Sequence, residues 1–182
     1  MAASVVAVAT RHGLGPTEVS RIERTLAEAM KPREVALSDD HHPAFLHPGR
    51  VALVLLNDVQ DPTAACIELA VLIESRDPEL RVADERVRAE LGERIAAARA
   101  AIPSPGSEDL TERLVTLDDG AALAALAERL DHLRHEHLRD PVTPWPELVE
   151  EVSSVWLPVA DRRSPTLARR YRHWLRTFER RL

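Results

Sequence analysis

Leu126-Ala127-Glu128-Arg129-Leu130-Asp131-His132-Leu133-Arg134 sits within an Ala- and Leu-rich run from Ala121 to Leu138, and its reading decides the fold class. Asp118-Asp119-Gly120 leads into the run, no Pro or Gly interrupts it, and its composition favours a helix with a charged end. Glu128 and His132 are four residues apart, so on a helix both project from one face. An ordinary ion pair on a solvated face is the plain reading of that spacing.

Outward from this run the same texture continues. Gly15-Pro16-Thr17 precedes a helical pattern from Glu18 to Met30, with Val19, Ile22, Leu26 and Met30 in step and Thr17 as the expected N-cap. Lys31 to Leu46 reads as a polar connection. His47-Pro48 opens the apolar segment Val51 to Leu56, with Pro suited to a first helical turn. Asp61-Pro62-Thr63 caps Ala64 to Glu74, apolar nearly all round and therefore expected at the centre. One long amphipathic helix is expected from Asp84 to Ala101, ended by Pro103-Ser104-Pro105-Gly106. A short helix over Ser107 to Leu117 and two late ones over Glu147 to Val155 and Pro165 to Leu182, joined through Leu157-Pro158, complete the layout. No segment alternates with period two. The expectation is a single all-α domain over residues 1–182, a bundle of about seven or eight helices, with residues 1–15 expected as a loose N-terminal segment.

Composition agrees. Of 182 residues, 45% are hydrophobic and 30% charged, which suits a folded globular chain with one sizeable core. Aromatics are only 3%, so Leu, Val, Ala and Ile must build that core. The single cysteine, Cys66, excludes an internal disulfide and a cysteine-based zinc site, and reads as a small core residue. Val5-Val6-Ala7-Val8-Ala9 is too short to span a membrane and lacks the basic flank of a secretory leader, so a cytoplasmic protein is expected. The net charge of −6 hides an asymmetry: the segment from Arg162 onward carries eight Arg and one Glu, leaving an acidic body before it. A basic last helix packed on its own acidic domain is the simplest account. Nucleic acid is disfavoured, and a dimer interface comes second.

Several side chains suggest chemistry. Asp39, Asp40, His41 and His42 cluster just before His47, but adjacent residues point apart and a polar loop is naturally rich in Asp and His. Trp145, Trp156 and Trp174 read as anchors for the late helices. Leu167, Tyr171, Trp174 and Phe178 form an apolar stripe on an otherwise Arg-rich helix.

Four places, in order, carry a resemblance. Pro43-Ala44-Phe45-Leu46-His47-Pro48-Gly49-Arg50-Val51-Ala52 is the first, and Ala70-Val71-Leu72-Ile73-Glu74-Ser75 the second. The run around Glu128 is the third, and Val155-Trp156-Leu157-Pro158 the fourth. Together they resemble the HD hydrolases of the alarmone (RelA/SpoT) type and their small stand-alone relatives, over roughly residues 40 to 180.

The resemblance implies an HD-like helical bundle and a site for a divalent metal such as Mn2+. Such a metal lowers the pKa of a bound water and polarises a phosphoryl oxygen. Carried over, the metal ligands fall on His47, on the pair Glu74-Ser75 where the family has His-Asp, and on Glu128 where it has Asp. The catalytic Glu-Asp pair falls on Pro78 and Glu79, leaving Glu79 a weak candidate and Pro78 none. His132 stands where the family has a nucleotide-contacting Asn, and with Arg50 it is the candidate nucleotide-binding residue. The implied reading is a degenerate relative, a pseudoenzyme that binds a guanosine nucleotide or a protein partner. A rearranged phosphohydrolase using His47, Glu74, Glu128 and His132 is the alternative. A purely structural or dimerising module is the third.

Overall fold

The computed structural model describes residues 1–37, 41–139 and 143–178. The chain is all-α, with no strand among these residues. The helices run in the order α1 (Ala2–Arg11), α2 (Pro16–Ala36), α3 (His47–Asp58), α4 (Ala64–Leu72), α5 (Asp84–Leu91), α6 (Glu93–Ala101), α7 (Leu110–Thr116), α8 (Asp119–His135), α9 (Trp145–Glu151), α10 (Leu157–Arg163) and α11 (Pro165–Phe178). No helix among the described residues is long and apolar enough to cross a membrane.

Helix starts follow local chemistry. Thr63 Oγ1 accepts the Cys66 N–H at 3.2 Å and Asp118 Oδ1 accepts the Ala121 N–H at 2.8 Å, each satisfying a free donor of the first turn. α2 begins two residues earlier than expected. Gly15 is its N-cap, Pro16 occupies the first turn, and Glu18 accepts the Gly15 N–H at 2.9 Å, so Thr17 lies inside the helix.

The core is a bundle around α4 and α8. α4 is buried along nearly its whole length and packs against α2, α3, α6 and α8. α8 lies against α3, α4, α10 and α11. Tyr171 and Trp174 dock α11 onto α8 by donating to the carbonyls of Leu126 (2.7 Å) and Leu133 (2.8 Å), while Leu167 and Phe178 are buried beside them. On the outer side Arg170 pairs with Asp58 and Arg172 with Asp161, so part of the basic face is neutralised by the domain's own acids.

Five departures from the sequence reading matter. Residues 2–11 form a helix with Val5 and Ala9 fully buried against the body, rather than a loose segment. α2 continues through Pro32 to Ala36, because the buried Arg33 ties its last turn down by donating to the carbonyls of Ala29, Ala44 and Leu80. The helix expected from Asp84 to Ala101 is divided at Gly92, whose φ of 95° and ψ of 161° lie in a region essentially reserved for glycine. α4 stops at Leu72, and Ile73 is extended. Finally, the chain passes through Leu157-Pro158 as helix. A π turn over Val152–Trp156 joins α9 to α10 there, loosening the bonding pattern just before the Pro that cannot donate. These additions turn the expected seven or eight helices into eleven α-helical segments among the described residues.

Candidate functional site

Four side chains that the sequence singled out meet in the middle of the bundle. His47 enters from the first turn of α3, Glu74 from the extended segment after α4, and Glu128 and His132 from one face of α8. His47, Glu74 and His132 offer nitrogen or oxygen atoms that all lie within 4.8 Å of one another. His132 Nε2 lies 3.1 Å from Glu128 Oε1 and 3.2 Å from Glu74 Oε1, off the hydrogen-bonding angle to both. The cluster is sealed from solvent: His47 is 0%, Glu128 2% and His132 5% exposed.

Each carboxylate already has cations and amides to hold. Glu74 takes the buried guanidinium of Arg33 on Oε2, while its Oε1 accepts the backbone N–H groups of Arg76 (3.2 Å) and Asp77 (3.1 Å). Glu128 Oε1 accepts the Ser75 N–H at 2.9 Å. Although burial opposes it, His132 next to Glu74 holds that carboxyl well below the usual carboxylate range. Glu128 is likewise lowered, against burial, chiefly by His132. Burial alone would push the His132 imidazole down, yet Glu128 and Glu74 beside it hold its pKa up at about 9. Arg33 and protonated His132 thus balance Glu74 and Glu128 charge for charge.

His47 belongs to a second layer of the same cluster. Its Nδ1 lies 2.8 Å from Asp131 Oδ2, and Asp131 is fully buried. Asp131 also accepts from Arg50, Nε at 3.0 Å to Oδ1 and Nη2 at 2.9 Å to Oδ2. Burial would raise the Asp131 carboxyl, but His47 and Arg50 hold it well below its ordinary value. Arg50, expected as a nucleotide contact, is therefore committed to Asp131 and to the Pro43 carbonyl. The opposite ring nitrogen, His47 Nε2, is buried without a hydrogen-bond partner.

The donor set is chemically suited to a divalent metal, but the packing is not. His47 and His132 stack with ring centroids 4.1 Å apart and planes only 22° from parallel. A metal lies close to the plane of each imidazole that binds it, about 2 Å from the nitrogen. Two nearly parallel stacked planes meet far beyond that distance, so one ion cannot lie in both. Arg33 on Glu74 adds a fixed positive charge beside the same oxygens. As packed, these residues do not fit the metal.

The remaining sequence candidates lie apart. Ser75 gives its amide to Glu128, and its hydroxyl has no partner. Glu79 is exposed on a 3-10 turn over Pro78–Leu80, outside the cluster. His42 turns Nδ1 toward the Ala44 N–H at 3.2 Å, and Asp39 and Asp40 lie outside the described residues. His135 Nδ1 sits 2.7 Å from the Asp131 carbonyl.

Sequence reasoning missed Arg33 and the orienting role of Asp131. Asp131 had a signal, being three residues from Glu128 on the same helix. Arg33 had none, because it falls just after Pro32 in a stretch read as polar connection.

Beside the cluster a groove of about 730 Å3 is lined by His42, Arg76, Asp77, His137 and Arg139, among others. Arg139 forms a two-pronged pair with Asp77, Nη1 to Oδ2 at 2.7 Å and Nη2 to Oδ1 at 2.6 Å. No family model, curated protein or solved structure matches the chain.

Proposed function

We propose that this chain is a degenerate HD-type domain that has given up metal-dependent hydrolysis and works by binding. The observation that carries this reading is the internal occupation of the central carboxylates: Arg33 sits on Glu74, and His132 lies between Glu74 and Glu128, all sealed from water. A hydrolytic metal centre needs an open coordination position for water or substrate. Replacement of the acid–base pair by Pro78 and an outward-facing Glu79 supports the same reading. Binding would use the neighbouring groove, lined by His42 and His137, where Arg139 would exchange its pair with Asp77 for the phosphates of a guanosine nucleotide such as ppGpp.

One observation favours the second reading, an active phosphohydrolase with a rearranged Mn2+ site. His47 Nε2 is buried without a partner while Asp131 orients the opposite nitrogen, the arrangement typical of a metal-bound histidine. That reading needs the His132 ring to turn and Arg33 to leave Glu74.

Incubating the protein with ppGpp in excess Mn2+, alongside His47→Ala, separates them. The expected result is no turnover by either protein, with calorimetry showing metal-independent ppGpp binding that Arg139→Ala weakens. Mn2+-dependent turnover lost in His47→Ala overturns the proposal in favour of the rearranged enzyme. Absence of both turnover and binding leaves the structural module.

A further inference from the structure

Two ion pairs cross between the turn after α4 and the turn after α8, and both border the groove. Arg76 pairs with Glu136, and Asp77 holds Arg139 through both carboxylate oxygens. The Asp77 and Arg139 side chains are 11% and 16% exposed, so each reaches the groove. Their supports differ. Asp77 stands on a fixed turn, its N–H donating to Glu74 Oε1 at 3.1 Å and its carbonyl accepting the Leu80 N–H at 2.9 Å. Arg139 follows a 3-10 turn over Glu136–Leu138 and reaches Asp77 on a long side chain, so it is the member of the pair that can swing away.

A phosphate that draws Arg139 off leaves the Asp77 carboxylate without its partner and beside a new negative charge, which costs free energy. An ionised carboxylate only accepts hydrogen bonds. The ligand that displaces Arg139 must therefore bring two N–H donors of its own, side by side in one plane as Nη1 and Nη2 are now. Among the common nucleobases guanine alone offers this. Its N1–H and 2-amino group sit on one carbon and reproduce the guanidinium edge of Arg139. Adenine and cytosine place an acceptor beside the amino group, and uracil has a single N–H on that edge. Leu138, 57% exposed, and the imidazoles of His42 and His137 line the same groove and give the base apolar and flat surface to lie against.

We propose that Asp77 is the base-reading residue of the groove, accepting from the N1–H and 2-amino group of guanine, and that Arg139 keeps this place in the unliganded protein as an internal mimic of the base. This role rests on the nucleotide reading of the groove and adds the residue that sets base preference. Binding then converts one ion pair into two contacts, Arg139 to phosphate and Asp77 to guanine.

Titration calorimetry of the intact protein with GDP, IDP, ADP and inorganic pyrophosphate, without added metal, tests this role. GDP should bind about a hundredfold more tightly than ADP, and IDP, which lacks the 2-amino group, about tenfold more weakly than GDP, at about tenfold for each hydrogen bond to a charged group. Asp77→Asn keeps the shape but offers one acceptor and one donor where guanine needs two acceptors, so GDP and ADP should then bind within about threefold of each other while pyrophosphate still binds. The IDP comparison uses the wild-type protein and keeps the test valid if Asp77→Asn fails to fold. Equal affinity for GDP and ADP in the wild type, or a guanine preference that survives Asp77→Asn, overturns the role of Asp77 and leaves phosphate binding in the groove standing. Absence of binding by all four compounds overturns the groove reading itself and the role of Asp77 with it.

Discussion

Arg33 and Glu74 form a buried pair with side chains 1% and 2% exposed, and removal of one partner strands the charge of the other. Arg33→Met is expected to cost about 3–5 kcal/mol in urea unfolding, whereas adding Glu74→Met to it should recover much of that loss. A double variant as unstable as the single one would show that Arg33 acts through its three carbonyl bonds instead. His132 sets the pH response. Its folded pKa of about 9 exceeds the ordinary 6.5, so its contribution is complete below 6.5 and drains away as pH rises through about 9. Glu74, Glu128 and Asp131 have the opposite sign: their contribution is present above the ordinary carboxylate range and is lost as pH falls below it. Thermal midpoints should therefore fall between pH 7 and about 9, and His132→Gln should flatten that fall. An equally steep alkaline decline in the variant would place the titrating group elsewhere.

The elements show where local signals suffice and where they fail. Thr63 and Asp118 were readable as starts of α4 and α8 because a cap acts on its own first turn. The stretch from Lys31 read as a connection and Leu157-Pro158 as a joint between helices, yet a helix crosses Pro32 and Pro158, because tertiary contacts and a π turn compensate for the missing N–H. Gly92 was passed over inside an amphipathic pattern, although its backbone divides α5 from α6. A Cβ at Gly92 would meet nothing within 4 Å, so the penalty of Gly92→Ala is conformational and not steric. Gly92→Ala should lose about 1–3 kcal/mol in denaturant unfolding with little change in far-UV circular dichroism. Unchanged stability would mean that the two helices merge into the single one the sequence suggests.

Across the molecule, the late helices close the core. Trp174 is 3% exposed, stacks with Phe178 at 5.0 Å and Trp145 at 6.3 Å, and donates to α8. Trp174→Ala should cost about 3–5 kcal/mol by thermal or urea unfolding, since it empties a large buried volume and removes the indole hydrogen bond to the Leu133 carbonyl. A loss within the range of surface substitutions would mean that α11 is dispensable to the bundle. The stripe of Leu167, Tyr171, Trp174 and Phe178 was legible because an amphipathic helix records its buried face in its period. The surface acids that pair with its arginines were not, as Asp58 lies far away in sequence.

The sequence by itself determined that this chain is helical, where most helices start, which faces they bury, and that His47, Glu74, Glu128 and His132 are worth testing together. The helical properties are written in neighbours a few residues apart, whereas the four site residues were grouped only by the resemblance of their motifs. Only the tertiary structure decided how the four are used. Arg33 reaches Glu74 across 41 residues and Asp131 orients His47 across 84, contacts that no local pattern encodes. The same packing stacks two imidazoles that a shared metal would need to turn, because ring orientation is set by the surrounding core and not by spacing along the chain.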